Sequence, residues 1–247
     1  MKENQLHTRY EFKYFLNKNI SSQIENEAKH FMSYDNFAVD IPNNQYFVRS
    51  LYYEDNSFSN FFEKVDGIKS RKKFRIRTYG NSLKNNLPIF LEIKGRHLER
   101  TFKKRTSIDS NHIELFLNSE QNSKLLKIYP NNTIINDFVF DSIKKKIKPC
   151  VLIDYKRRPY INNFGLYFRL TFDSNIVSSK SKILFSNENK STPLECRSGY
   201  TILEVKFDRS IPAWFHRIIQ SYNLTRRSIS KFVLGVCTCK LAYETSE

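Results

Sequence analysis

Glycine and proline are scarce in this sequence, 6 and 7 residues in 247, which excludes collagen-like and low-complexity chains. No apolar run approaches the roughly 20 residues of a membrane-spanning helix; the most apolar tract is Phe232 to Cys239. The opening residues, Met1 to Tyr14, are polar and charged without an apolar h-region, so no secretory signal is read there. Cysteine is limited to positions 150, 196, 237 and 239, with no C-x-x-C pair and no histidine at zinc spacing. That disfavours a disulfide framework or a zinc knuckle and suggests the reduced, core-filling thiols of a soluble cytoplasmic protein. The five histidines (7, 30, 97, 112, 216) form no ligand cluster. No repeat and no Gly/Ser or Pro-rich linker divides the chain, and loops such as Tyr79 to Pro88 and Ser186 to Thr192 are of hairpin scale. One domain, 1–247, is expected.

Apolar residues make up 40% and aromatics 15%, a folded composition. Net charge is +16, from 25 Lys and 16 Arg against 25 acidic residues. Part of the lysine excess matches a general bias, since Asn is plentiful and Ala scarce. The positions of the arginines have no such explanation. An excess of this size predicts a polyanionic partner: nucleic acid, an anionic membrane or phosphate.

Alternating segments predict strands over 7–15, 45–54, 72–79, 89–95, 100–108, 150–158, 166–177 and 201–208. Helical periodicity predicts helices over 20–32, 57–65, 111–128, 131–146, 211–222 and 228–242. About eight strands with few long crossovers suggest an α+β fold: a closed antiparallel β-barrel with helices packed outside.

Alternate side chains of a strand share a face. Lys73, Arg75, Arg77 and Tyr79 point one way, and Phe74 and Ile76 the other. Alone, this is the pattern of a half-buried strand with a solvated face, but it recurs. Arg9, Glu11 and Lys13 alternate with Tyr10, Phe12 and Tyr14; Glu92 and Lys94 with Leu91 and Ile93; Glu204, Lys206 and Asp208 with Leu203, Val205 and Phe207. Tyr155 and Arg157 share a face, as do Arg169, Thr171 and Asp173. If apolar helix faces such as that of 211–222 cover the outside, the charged faces line the inside. A barrel of roughly eight strands has room there for side chains or one small ligand.

The stretches RYEFKY (9–14), VRSLYYED (48–55), FFEKVDGIKSRKKFRIRTYG (61–80), FLEIKGR (90–96), KKR (103–105), VLIDYKRRPY (151–160), RLTFD (169–173), ILEVKF (202–207) and SKF (230–232) together resemble the VTC domain. That family is the polyphosphate-polymerase branch of the triphosphate tunnel metalloenzymes, related to the CYTH family. The resemblance implies a tunnel that binds a nucleoside triphosphate and a divalent metal, manganese first and magnesium second, and passes the γ-phosphoryl group of ATP to inorganic polyphosphate. It implies phosphate contacts from Lys13, Arg75, Arg77, Arg157 and Lys206 at the reacting centre and from Lys94, Lys103 and Arg169 around it. Tyr155 and Ser230 would add hydroxyl donors, and Lys231 stands beside Ser230 in a C-terminal helix near one tunnel end. Glu204 would ligate the metal. The chain departs from CYTH hydrolases at Arg9, where they carry a glutamate, and has Ser228 where some members carry a basic residue.

Phosphoryl transfer rests on positioning and electrostatic clamping, for which Arg supplies a planar fork and Lys a point charge. Glu204, with Glu11 as a second candidate, could hold a divalent ion. A polyphosphate end is already anionic, whereas water needs orienting and deprotonation. Losing a carboxylate at position 9, where this chain has Arg9, therefore tilts the site towards transfer. The alternatives stay open: Glu204 as a salt-bridge partner of Lys206, Tyr155 as packing, Lys144 to Lys148 as a solvated run or an acidic-membrane contact. An inorganic triphosphatase or nucleoside triphosphatase, or a non-catalytic polyphosphate-binding module, would use the same fold. Nucleic acid is disfavoured because cations alternate with carboxylates on the same faces. Oligomeric state and any membrane-protein partner are not legible.

Overall fold

The computed structural model describes residues 10–82, 87–98, 100–163, 165–185 and 192–242. Arg9, the first residues of the strand expected over 7–15 and parts of the two hairpin-scale loops lie outside the described residues. The architecture is α+β, an antiparallel sheet to which ten described strands belong, with helices. Among the described residues no helix is long and apolar enough to cross a membrane. The chain divides into two compact units, and strands β7 (Lys148–Asn162) and β8 (Phe168–Lys180) contribute residues to both.

The first unit comprises Met1–Phe47, Tyr155–Ile176 and Arg197–Ile229. It holds β1 (Tyr10–Asn17), α1 (Lys18–Ala28), β2 (Met32–Tyr34), α2 (Asn36–Val39), β10 (Tyr200–Phe207) and α7 (Ala213–Ser221). β1 pairs antiparallel with β10, and β10 with β8. The odd–even alternation read from the sequence sorts these strands. Tyr14, Leu16, Leu203, Val205, Leu170 and Phe172 face one side and are buried with Ile24 of α1 and Phe215 and Ile218 of α7. Covering that face with helices removes its apolar area from water and leaves the opposite face to the charged residues. α1 starts where the Asn17 side chain accepts from the Ile20 amide at 2.9 Å, an ordinary N-cap.

The second unit comprises Val48–Asp154, Val177–Cys196 and Ser230–Glu247. Strands β3 (Tyr46–Glu54), β4 (Ser70–Thr78), β5 (Ile89–His97) and β6 (Arg100–Ile108) pair antiparallel in that order, and the short β9 (Leu194–Glu195) pairs with β8. Their apolar side, with Leu51, Phe74, Ile76, Leu91 and Ile93, is buried with Ile135, Phe138 and Val139 of α6 (Thr133–Lys144). Helix α3 (Ser59–Val65) follows β3; its first amide, of Ser59, donates to Asp55 at 3.0 Å, and the next two, of Asn60 and Phe61, donate to the Glu54 carboxylate at 3.1 and 3.0 Å.

The single helix expected over 111–128 is broken. α4 (Ile113–Leu117) and α5 (Leu125–Ile128) are separated, because the Asn118 side chain accepts from the Glu120 amide at 3.0 Å. Such a local bond offers the backbone an alternative to the helix. The helix expected over 228–242 is α8 (Lys231–Thr238), capped by Ser230, whose Oγ accepts from Val233 N at 3.4 Å. A Cβ at Gly235 would stand 2.8 Å from Ile153 Cδ1, so a larger residue there would require the Ile153 side chain to shift.

Candidate functional site

Each unit carries a charged sheet face, and the register shows how each is built. In the first unit, two rows cross β1, β10 and β8: Lys13–Glu204–Thr171 and Glu11–Lys206–Arg169. Directly opposed residues in a sheet interact: Lys13 stands opposite Glu204 and Lys206 opposite Glu11, while Arg169, opposite Lys206, finds its carboxylate in Asp35. Lys13 Nζ lies 2.9 Å from Glu11 and 3.6 Å from Glu204, and donates to the Ile229 carbonyl at 3.1 Å. Arg157 donates to Asp173 from Nε at 2.6 Å and from Nη2 at 2.7 Å, and the same Nη2 donates to Glu204 at 3.1 Å. Its guanidinium carbon stands 5.4 Å from the centre of the buried Tyr155 ring. Burial works against the charge of Arg157, but Asp173, Tyr155 and Glu204 outweigh it and hold the group firmly cationic. Burial pushes the Lys206 ammonium below its ordinary value, aided by Arg157 and Arg169 and opposed by Glu11 and Glu204. Arg169 reaches Asp35 at 3.1 Å.

Glu204 does meet Lys206, at 3.9 Å, but its nearer partner is Arg157. The salt-bridge alternative is therefore real, and it is a network rather than a pair. Beside it the Thr171 hydroxyl is buried without a hydrogen-bond partner, a cost that a bound ligand or water would remove.

In the second unit the rows across β3, β4, β5 and β6 read Tyr52–Arg75–Glu92–Arg105 and Ser50–Arg77–Phe90–Ser107. A third row crosses β4, β5 and β6 as Lys73–Lys94–Lys103. Three lysines stand directly opposite one another, an arrangement that destabilises a sheet. On these rows of β4, β5 and β6 the one carboxylate is Glu92, which is fully buried. It accepts from Arg75 Nε at 2.7 Å, with Arg75 Nη2 at 2.6, Lys103 at 2.7 and Arg77 at 3.9 Å. Burial alone would raise its pKa; the three cations override that and hold the carboxyl well below the usual carboxylate range. Lys103 is pushed down to about 8, chiefly by desolvation and by Arg75 and Arg77, against the pull of Glu92.

Tyr52 was legible only as part of a motif, yet its hydroxyl accepts from Arg75 Nη1 at 2.8 Å. Burial would raise its pKa, but Arg75, Arg77 and Lys231 bring it below the ordinary value. Phe232 ties α8 to this face: its ring lies 5.2 Å from that of Tyr52 and 4.6 Å from Lys73 Nζ. That places Ser230 and the buried Lys231 at the start of α8 in the same unit as Arg75, Arg77, Lys94 and Lys103. Lys13, Tyr155, Arg157, Arg169, Glu204, Lys206 and Glu11 belong to the other.

A divalent ion has a restricted choice of ligands. Among the described residues no three His, Cys, Asp or Glu side chains gather as a metal cluster. Both oxygens of Asp173 are taken by the Arg157 fork and Asp35 meets Arg169, while Glu204 and Glu11 lie on paired strands and share Lys13. Two carboxylates fit an ion of the magnesium or manganese type, which takes one or two protein oxygens and completes its shell with water and substrate phosphates. They do not fit an all-protein cage.

The profile of the VTC domain family matches residues 8–240. No curated protein matches the sequence. Among solved structures, an adenylate cyclase candidate from Bacillus halodurans is similar, with a TM-score of 0.52 and 12% identity over 90% of this chain and 95% of that one. An adenylyl cyclase candidate from Hippeastrum, described as having a dominant triphosphatase activity, has a TM-score of 0.49 and 12% identity over 93% and 97%.

Proposed function

Because the chain belongs to the VTC domain family, we propose that it is a polyphosphate polymerase that transfers the γ-phosphoryl group of ATP to a growing inorganic polyphosphate chain. The reading includes closure of the sheet into a tunnel, as the family resemblance implies, and a cytoplasmic setting that supplies ATP. One observation carries it: the row Lys73–Lys94–Lys103 beside Arg75 and Arg77, on strands whose only carboxylate in these rows is Glu92. Opposed like charges of this kind are expected where an anion compensates them.

In this reading Arg75, Arg77, Lys94, Lys103, Ser230 and Lys231 hold phosphates in the second unit, and Lys13, Tyr155, Arg157, Arg169 and Lys206 do so in the first. Asp173 positions Arg157 so that its remaining donors meet phosphate with little loss of side-chain freedom. Glu204, with Glu11, would hold manganese or magnesium, which when bound supplies neutralisation of phosphate charge. The attacking polyphosphate end is anionic and needs no general base. No nucleic acid is expected as a substrate.

The test is to incubate the pure protein with ATP and manganese, resolve products on a polyphosphate-stained gel and assay free phosphate. Long polymer supports the polymerase. Free phosphate alone replaces it with a triphosphatase, which Glu11 and Glu204 could serve by orienting water; neither product leaves a binding module.

A further inference from the structure

Helix α6 carries a surface for which the phosphate chemistry has no use. Phe140 and Ile143 are 60% and 64% exposed, the latter more than any other large apolar side chain among the described residues. Their i, i+3 spacing puts them on one helix face. The helix is well anchored: Asn132 caps it, accepting from the Ile134 and Ile135 amides at 3.2 Å, and Ile135, Phe138 and Val139 are in the core. The exposure is thus a property of a formed helix.

Lys144, Lys145, Lys146 and Lys148 follow at once, and Lys144 Nζ stands 5.4 Å from the Phe140 ring centre. Asp141 does not offset them, being buried and turned to Lys72 at 3.1 Å. The exposed carboxylate of the helix, Asp137, lies a turn earlier. We propose that this end of α6 docks on an anionic lipid surface. Phe140 and Ile143 would enter the boundary between headgroups and acyl chains, and the lysines would lie among acidic headgroups. An apolar pair flanked by cations matches that surface in both respects. A second copy of the chain matches it poorly, because a two-fold contact would bring the same lysines together. The inference is independent of the proposed polymerase activity.

The experiment is co-sedimentation of the full chain, free of nucleotide, with vesicles of phosphatidylcholine alone or with about 30% phosphatidylserine. Binding is expected only to the anionic vesicles and is lost at high salt. Phe140→Ser combined with Ile143→Ser should weaken it about tenfold without lowering the melting temperature or the response to tripolyphosphate. Saturating tripolyphosphate should leave vesicle binding in place. The proposal is overturned if the native chain ignores anionic vesicles, or if the serine variant binds them equally well. Displacement of the vesicles by tripolyphosphate would assign the contact to the phosphate-binding faces and also overturn it. So would a dimer that the serine variant breaks, with no vesicle binding by either form.

Discussion

The two charged faces differ less in how many cations they carry than in what meets those cations. In the first unit Lys13, Arg157, Arg169 and Lys206 meet Glu11, Asp173, Glu204 and Asp35 at 3.9 Å or less. In the second, Arg75, Arg77 and Lys103 converge on Glu92, and Lys94 stands between two further lysines. A nearly balanced face can hold its geometry with nothing bound and still offer carboxylate oxygens to a cation. A face on which three cations share one buried carboxylate and three lysines stand in one row gains from an added anion. In the proposed function the first would hold a metal and a reacting phosphate, and the second would grip phosphate along a chain.

The sharpest way to test that division is to remove one carboxylate from each side. Glu204→Gln should reduce manganese-dependent turnover about a thousandfold, since charge neutralisation in phosphoryl transfer depends on the ion, while tripolyphosphate still binds. Normal turnover with manganese would show that Glu204 is only a partner of Arg157. Glu92→Gln should behave in the opposite way. Breaking a buried ion network by removing one member costs about 3 kcal/mol, to be read as a lower denaturant midpoint. The same change makes the face more cationic, so tripolyphosphate should bind more tightly and recover more stability than in the native chain. If Glu92→Gln is neutral in stability, the second face is not held by its carboxylate.

A smaller effect concerns the ligand alone. At about a hundred times its dissociation constant, tripolyphosphate should stabilise the protein by about 2.7 kcal/mol, read as a rise in melting temperature that high salt reduces. Single-stranded DNA at equal phosphate concentration should do much less; equal stabilisation would mean an open basic surface. Arg75→Ala and Arg77→Ala should each weaken the response, whereas Lys145→Ala, in the lysine run after α6, should not.

Much of this was legible in the sequence because alternation is local. Lys73, Arg75 and Arg77 against Phe74 and Ile76 can be read from five consecutive residues, and the buried core bears that reading out. Register is not local. Nothing in the neighbourhood of Lys73 says that Lys94 stands opposite it and Lys103 opposite Lys94, or that Asp173 rather than Glu204 takes the Arg157 fork. Tyr52 carries no local signal for the same reason, its bond to Arg75 being made across a strand pair. The break in the helix expected over 111–128 had a local signal, Asn118 before a polar run, but apolar periodicity on either side concealed it. The part of Glu54 as the acceptor for the first turn of α3 depends on how the chain bends after β3.

The finest distinction between the faces is one of titration. Lys103 is 44% exposed along its side chain, yet its ammonium points at Glu92 beside Arg75 and Arg77 and is pushed down to about 8. The unfolded chain therefore binds more protons than the folded one between about pH 8 and the ordinary lysine value near 10.5. Across that window this group makes the unliganded protein more stable as pH rises, because a charge that burial desolvates and Arg75 and Arg77 repel is being lost. Affinity for tripolyphosphate runs the other way, since the charge lost is one the ligand uses. A half-exposed cation contributes at most about 1 kcal/mol to such a contact, so binding should weaken roughly fivefold above pH 8. The ligand's own ionisation is controlled by Lys103→Arg, which stays charged throughout the window and should show a flatter affinity profile than the native chain. Isothermal titration in buffers of different ionisation enthalpy checks the same point, because binding at pH 9 should take up protons in the native chain and fewer in Lys103→Arg. Identical proton uptake in both would remove Lys103 from the phosphate-binding face and leave Arg75 and Arg77 to account for it.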